Sequence, residues 1–229
     1  VNAGTAPISS TVVATPTLTT NGQGCAGATV SAIITVNPNP VMISPASASF
    51  CQGSTVAYNF TNNIPNGVVY AWNNSNTAIG LAASGSGNIS FQAQNGTSAP
   101  ISGTVSVIPT YTSNGVSCAG ITQSFNIQII PTPTVDPVSN ITLCNGAASN
   151  VVNLTSPVAG ATFAWTNANT AIGLGASGSG NVPIFTAANA SPNTPLTAQL
   201  SVISSVVVNG VTCTGNPTLF TITVNPNTV

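Results

Sequence analysis

Lysine, arginine, histidine and glutamate are all absent from this 229-residue chain, and its one acidic side chain is Asp136. These absences exclude whole classes of chemistry. General acid–base catalysis needs a titratable side chain beside its target. A lone Asp next to a proline supplies neither a carboxylate pair nor a Ser-His-Asp triad. Calcium and magnesium sites need clustered carboxylates. Zinc would have to use cysteine alone, and the five cysteines are scattered along the chain. With no basic side chain to neutralise phosphate, nucleic acid is excluded as a partner. A Lys–Asn isopeptide bond is excluded because there is no Lys, and trypsin-type proteases find no cleavage site. No catalytic, metal-binding or cofactor-binding residue is expected, and the chain reads as a non-enzyme.

Long hydrophobic runs are also missing. The mean hydropathy of +0.39 is high, but no run of about 18 apolar residues marks a membrane-spanning helix. Val, Ile and Ala are interleaved with Thr, Ser and Asn, which is a strand composition. The 17 Pro and 21 Gly argue further against long helices.

What is present is a repeat. Val68–Asn88 (VVYAWNNSNTAIGLAASGSGN) returns as Ala161–Asn181 (ATFAWTNANTAIGLGASGSGN). Trp72 and Trp165 are 93 positions apart, as are Cys25 and Cys118, and Cys51 and Cys144. Cys118 and Cys213 are separated by 95, the two extra residues falling between Asn181 and Pro195. Such periodicity is read before any local feature. It divides the chain into the C-terminal part of a truncated repeat (1–38), a full repeat (39–131), and a second full repeat with its exit linker (132–229). Val1 aligns with Gln94, so the chain opens in mid-repeat. The strands that would complete the first repeat are expected from upstream chain or from a neighbouring molecule, because two strands alone are marginal.

Within the middle repeat, period-2 alternation marks about seven short strands: 41–50, 56–60, 68–72, 77–82, 89–93, 101–112 and a last one carrying Phe125, Ile127 and Ile129. In the opening fragment, Ile8–Thr19 reads as one strand and Val30–Val36 as its return. Asn21-Gly22 and Asn114-Gly115 are hairpin turn signals. Ser84–Gly87 and Ser177–Gly180 resemble phosphate loops only superficially, since no helix and no Lys follow, and they read as flexible strand connections. Trp72 and Trp165 alternate in phase with Tyr70 and Phe163, so these four, with Phe91 and Phe185, are expected in the core rather than on a sugar-binding face. The Asn-x-Ser/Thr matches at Asn59, Asn73, Asn88, Asn95, Asn140, Asn153 and Asn189 are expected by chance in so Asn-, Ser- and Thr-rich a chain. The expected fold is all-β: tandem β-sandwiches of about 93–95 residues. The Pro-rich junctions at Pro38–Pro40 and Pro131–Pro133 stiffen the array into a rod.

Each full repeat has one Cys near its start and one after its hairpin turn. The economical pairing is Cys51–Cys118 and Cys144–Cys213, with Cys25 left for a Cys upstream of Val1. Each such bond would close a loop of about 67 residues, stabilise by roughly 4 kcal/mol, and place the chain in an oxidising, extracellular or cell-surface setting.

The joint order of FCQG or LCNG, YAWNNSNTAIGL or FAWTNANTAIGL, ASGSGN, NGVSCAG or NGVTCTG, and ITVNP resembles the PKD-like repeat domains of large Bacteroidota surface proteins. The resemblance covers the whole chain, although the Gly-Asp-Gly signature of true PKD domains is missing. It implies Ig-like sandwiches repeated many times in secreted adhesins, some of them similar to gliding-motility proteins exported by type IX secretion, and it brings no catalytic residues. Three functions are expected in descending order. The first is a stalk segment of a giant surface adhesin, with neighbouring repeats as its partners and any surface ligand unknown. The second is a subunit of a self-assembling extracellular filament of identical chains. The third is a non-catalytic glycan-binding or spacer module of a secreted enzyme.

Overall fold

The computed structural model describes residues 2–227. Strands dominate, and among the described residues helix is limited to two 3-10 turns, Thr77–Ile79 and Thr170–Ile172. The opening fragment holds β1 (Ile8–Ala14), β2 (Thr17–Thr20), β3 (Gln23–Ala26) and β4 (Val30–Val36). β1 pairs antiparallel with β4, and β2 with β3. The single strand expected over 8–19 is thus broken at Thr15-Pro16, because proline has no N–H for the ladder.

The middle repeat holds β5 (Ala48–Cys51), β6 (Thr55–Tyr58), β7 (Val68–Asn74), β8 (Ser84–Ser86), β9 (Ile89–Gln92), β10 (Ile101–Ser113), β11 (Val116–Ala119) and β12 (Gln123–Ile130). Its main sheet runs β5-β12-β10-β7-β8, with β11 on the far end of β10. A two-stranded ribbon of β6 and β9 forms the second layer. Between the layers lie Val56, Tyr70, Trp72, Ile89, Val105, Val107, Phe125 and Ile127, all buried, with Phe91 half-buried against them. These are the inward members of alternating strands, which is why period 2 in the sequence becomes one apolar face. The opening segment is shorter than the alternation over 41–50 suggested; Met42 makes only an isolated bridge to Asn62.

The last repeat repeats the plan with β13 (Ile141–Cys144), β14 (Thr162–Asn167), β15 (Ser177–Ser179), β16 (Leu196–Val208), β17 (Val211–Thr214) and β18 (Thr218–Asn225). Its sheet order is β13-β18-β16-β14-β15, with β17 on β16. The thin second layer is reduced to the bridges Ala148–Thr186 and Val152–Val182. Trp165 is buried, and Phe163 and Phe185 are half-buried beside it. The chain is an all-β protein built from sandwiched sheets.

Two local readings need correction. Residues 77–82 do not form a strand. Asn76 accepts a hydrogen bond from Ala78 N at 3.1 Å and starts a 3-10 turn, as Asn169 does in the next repeat; an Asx cap competes with extended structure. The Ser-Gly-Ser-Gly stretches are not flexible connections either. Gly85 sits opposite Trp72 in the β7–β8 ladder, and a Cβ there would overlap the indole. Gly178 and Trp165 repeat this. The glycine lets an edge strand lie across a tryptophan face.

Candidate functional site at the junction between repeats

The strand register decides where each cysteine goes. Cys51 is level with Ile130 on β12, one step beyond the Ile129–Ile101 pair at the start of β10. Cys118 is level with Tyr111, near the end of β10. Eleven residues of strand separate those levels, about 36 Å at 3.3 Å per residue. A disulfide needs Cα atoms within about 7 Å. The expected Cys51–Cys118 pairing is therefore corrected. Cys144 and Cys213 stand in the same relation, level with Asn225 and Val206, so the expected Cys144–Cys213 pairing fails for the same reason.

Cys51 is instead bonded to Cys213, with a Cα–Cα distance of 5.5 Å across 162 residues of sequence. The bond joins the opening strand of one repeat to the hairpin of the following repeat. Spacing alone could not show this, because a period of 93 is shared by pairings within a repeat and between repeats. Cys25 and Cys144 are exposed free thiols, and Cys118 is a half-buried one.

The junction around the bond is built from both repeats. Ile130, Val158, Val206 and Cys213 are buried together, with Cys51, Val208 and Val211 packed against them. Asn209, in the tight turn between β16 and β17, reaches back across the junction. Its Nδ2 donates to Gln128 Oε1 at 2.9 Å and to Ser49 Oγ at 3.2 Å. Asn209 and Gly210 have φ of 50° and 78°, a type I′ geometry that Asn-Gly favours. The linker itself is strapped down: Ser204 Oγ donates to Pro133 O at 2.9 Å. Gly215 lies so close to Pro133 O that a Cβ would overlap it, and Gly120 stands likewise against Pro40 O in the preceding junction.

A second recurring device lies at the end of each unit. Asn95 is 2% exposed; its Nδ2 donates to Ala99 O at 2.9 Å and Ile129 O at 2.8 Å, and its Oδ1 accepts from Thr97 N. Asn189 makes the matching bonds to Thr194 O and Val224 O, and Asn2 to Ala6 O and Val36 O. These asparagines tie a loop to the last strand. Their recurrence 93 and 94 residues apart is the one signal of them in the sequence. With both amide hydrogens of Asn95 and Asn189 used and the side chains buried, neither is presented for glycosylation.

Among the described residues no three His, Cys, Asp or Glu side chains come together, and no helix is long and apolar enough to cross a membrane. What the junction can do chemically is form and hold a disulfide.

No protein-family model and no curated protein sequence matches this chain. Among solved structures it is similar to the two-domain fragment DIP-gamma IG1+IG2, at 8% identity and a TM-score of 0.40, over 82% of this chain and 98% of that one. It is similar also to protocadherin gamma B2 extracellular cadherin domains 3–6, at 10% identity and a TM-score of 0.37, over 97% of this chain and 60% of that one. Human protocadherin-24 EC1-2 matches at 10% identity and a TM-score of 0.35, over 78% of this chain and 94% of that one. At such scores the likeness carries no argument about function, and the fold class rests on the sheets themselves.

Proposed function

We propose that this chain is a structural segment of an extracellular stalk, extending and stiffening a large surface adhesin of the kind its repeat motifs resemble. The observation that carries the reading is the covalent tie across the junction. Cys51 and Cys213 lock two successive repeats together where the Pro131–Pro133 linker already restricts the backbone. Interfaces between domains of one chain are otherwise modest and allow relative motion by default. A bond between repeats, rather than within one, resists bending and shear along the array. It also favours an oxidising compartment. A surface without Lys, Arg or Glu, hence without trypsin-type or Glu-specific cleavage sites, suits an exposed spacer. The Bacteroidota surface, gliding motility and type IX export belong to the same reading, through the motif resemblance alone.

Small-angle scattering of the chain with the disulfide intact tests the reading. An elongated particle with a narrow distribution of shapes is expected, broadening when the bond is reduced. A compact particle, or one equally flexible in both states, would sink it.

A further inference from the structure

The two full repeats close one edge of their cores differently. In the middle repeat the ring of Tyr58 fills the space beside β5. Its centroid lies 4.6 Å from that of Phe125 and 6.4 Å from that of Phe50, and its hydroxyl donates to Ala46 O at 3.3 Å. The pairing identifies its counterpart in the last repeat. Tyr58 pairs with Ile89, and Phe60 N donates to Asn88 Oδ1. Val152 pairs with Val182, and Leu154 N donates to Asn181 Oδ1. Val152 therefore stands where Tyr58 stands. In the same way Val56 pairs with Phe91, and Ser149 N donates to Phe185 O. One residue, Ala57, separates Val56 from Tyr58, but two, Asn150 and Val151, separate Ser149 from Val152. The extra residue makes the segment bulge. Leu143 stands in place of Phe50 as well.

Two smaller side chains and a bulge leave a cavity of about 320 Å3. Val138, Ile141, Leu143, Val152 and Phe185 line it, each half-buried against the core. Ser139, the counterpart of Ala46, lines it too. Ser149, 5% exposed, adds a hydroxyl to the lining where the middle repeat has the fully buried Val56. Its Oγ accepts from Phe185 N at 3.0 Å. No titratable side chain lines the cavity. The cavity belongs to one complete repeat, and in the middle repeat the ring that fills this place comes from that same repeat. The following repeat bonds to the middle one at Ser49, Cys51 and Gln128. On β13 the matching positions, Thr142 and Cys144, alternate with Ile141 and Leu143 and so point to the other face.

We propose that the last repeat holds a binding site for a small uncharged phenol, whose ring takes the place that the Tyr58 ring fills in the middle repeat. The ring rests against Leu143, Val152 and Phe185, and the hydroxyl donates to Ser139 O as Tyr58 donates to Ala46 O. An apolar lining without charge disfavours an ionised ligand, and a ring beside Phe185 gains from aromatic pairing. The volume lies at the lower end of the range for small-molecule sites, about 300–1,000 Å3. It fits one ring with few substituents rather than a peptide. The proposal goes beyond the stalk reading and does not rest on it, since the site lies inside one repeat.

The test uses the whole chain with its disulfide intact and 4-methylphenol, the tyrosine side chain as a free molecule. Methyl NMR spectra followed through a titration should shift at Val138, Ile141, Leu143 and Val152 and stay in place at Val56 and Val107 of the middle repeat. A dissociation constant of about 1 mM or below is expected, within reach of so small a ligand. 4-Methylanisole, the same ring with its donor blocked, should bind about fivefold more weakly. N-acetyltyrosinamide, which adds a peptide main chain to the ring, should also bind more weakly than 4-methylphenol. Val152→Tyr, which restores the ring, should abolish the shifts while keeping the strand signal in circular dichroism. Leu143→Phe narrows the cavity from the opposite wall and should weaken binding by about tenfold; it decides the matter if the Val152→Tyr chain does not fold. No shift at millimolar ligand, shifts spread over both repeats, equal binding of 4-methylanisole, tighter binding of N-acetyltyrosinamide, or undiminished binding by either folded variant would each overturn the proposal.

Discussion

Cys51 and Cys213 face each other across the junction with Cα atoms 5.5 Å apart, although 162 residues of chain lie between them. Closing so long a loop limits the unfolded ensemble strongly, by about 5 kcal/mol in the chain-entropy model. Chymotryptic mapping without reductant should therefore recover one cross-linked pair joining 51 to 213, with Cys25, Cys118 and Cys144 as free thiols. Cys51→Ser should lower the thermal midpoint while leaving the strand signal in circular dichroism intact, because each sandwich keeps its own core. Recovery of a 51–118 or 144–213 fragment would contradict the register argument.

Gly85 lies under the indole of Trp72, and an added methyl would overlap the ring. Trp72 is a buried part of the sandwich core. Gly85→Ala should cost about 1–3 kcal/mol, the usual effect of overpacking. Gly96→Ala is the control. Nothing lies within 4 Å of a Cβ there, so the change should be neutral or slightly stabilising. Chemical denaturation monitored by tryptophan fluorescence separates the two; equal effects would mean that Gly85 is only a loop residue.

The sandwich class was legible in the sequence because its cause is local. Alternating residues such as Tyr70 and Trp72, or Ile127 and Ile129, point to one face whatever the rest of the chain does. The Asn-Gly hairpin turns were legible for the same reason, since few residues accept the positive φ values of Asn114 and Gly115. The disulfide was not, because a repeat period fixes which cysteines are equivalent but not which equivalent meets which. That depends on the long β10 strand, which carries Cys51 and Cys118 to opposite ends of one sheet. The buried asparagines were hidden because Asn is read as a surface residue by composition. Only the structure shows that the buried Asn95 side chain donates to the carbonyls of Ala99 and Ile129.

Those carbonyls give a prediction with a pH signature. Asn95 supplies both donors to Ala99 O and Ile129 O in a buried site. Asn95→Ala removes both donors, leaving Ala99 O to the Thr97 hydroxyl alone and Ile129 O without its Asn95 bond, and should cost about 1–3 kcal/mol. Asn95→Asp is nearly isosteric but fails differently. An ionised carboxylate there faces two carbonyl oxygens and has no donor for them, whereas the protonated acid can still donate to one. Burial and these neighbours favour the neutral form, so the folded-state pKa of the new Asp lies above its unfolded value of about 3.9. A group with a raised folded pKa contributes its stability fully below the unfolded pKa and loses it as pH rises through the folded pKa. Asn95→Asp should therefore approach Asn95→Ala or worse at pH 7 and recover part of the loss near pH 4. The unmodified chain has no His and only one carboxylate side chain, so its own thermal midpoint should be nearly flat between pH 5 and 8. Thermal midpoints of the three proteins at pH 4 and pH 7 check this. An Asn95→Asp midpoint that does not change with pH would mean the side chain reaches water, and the bracket between loop and last strand would then be open in solution.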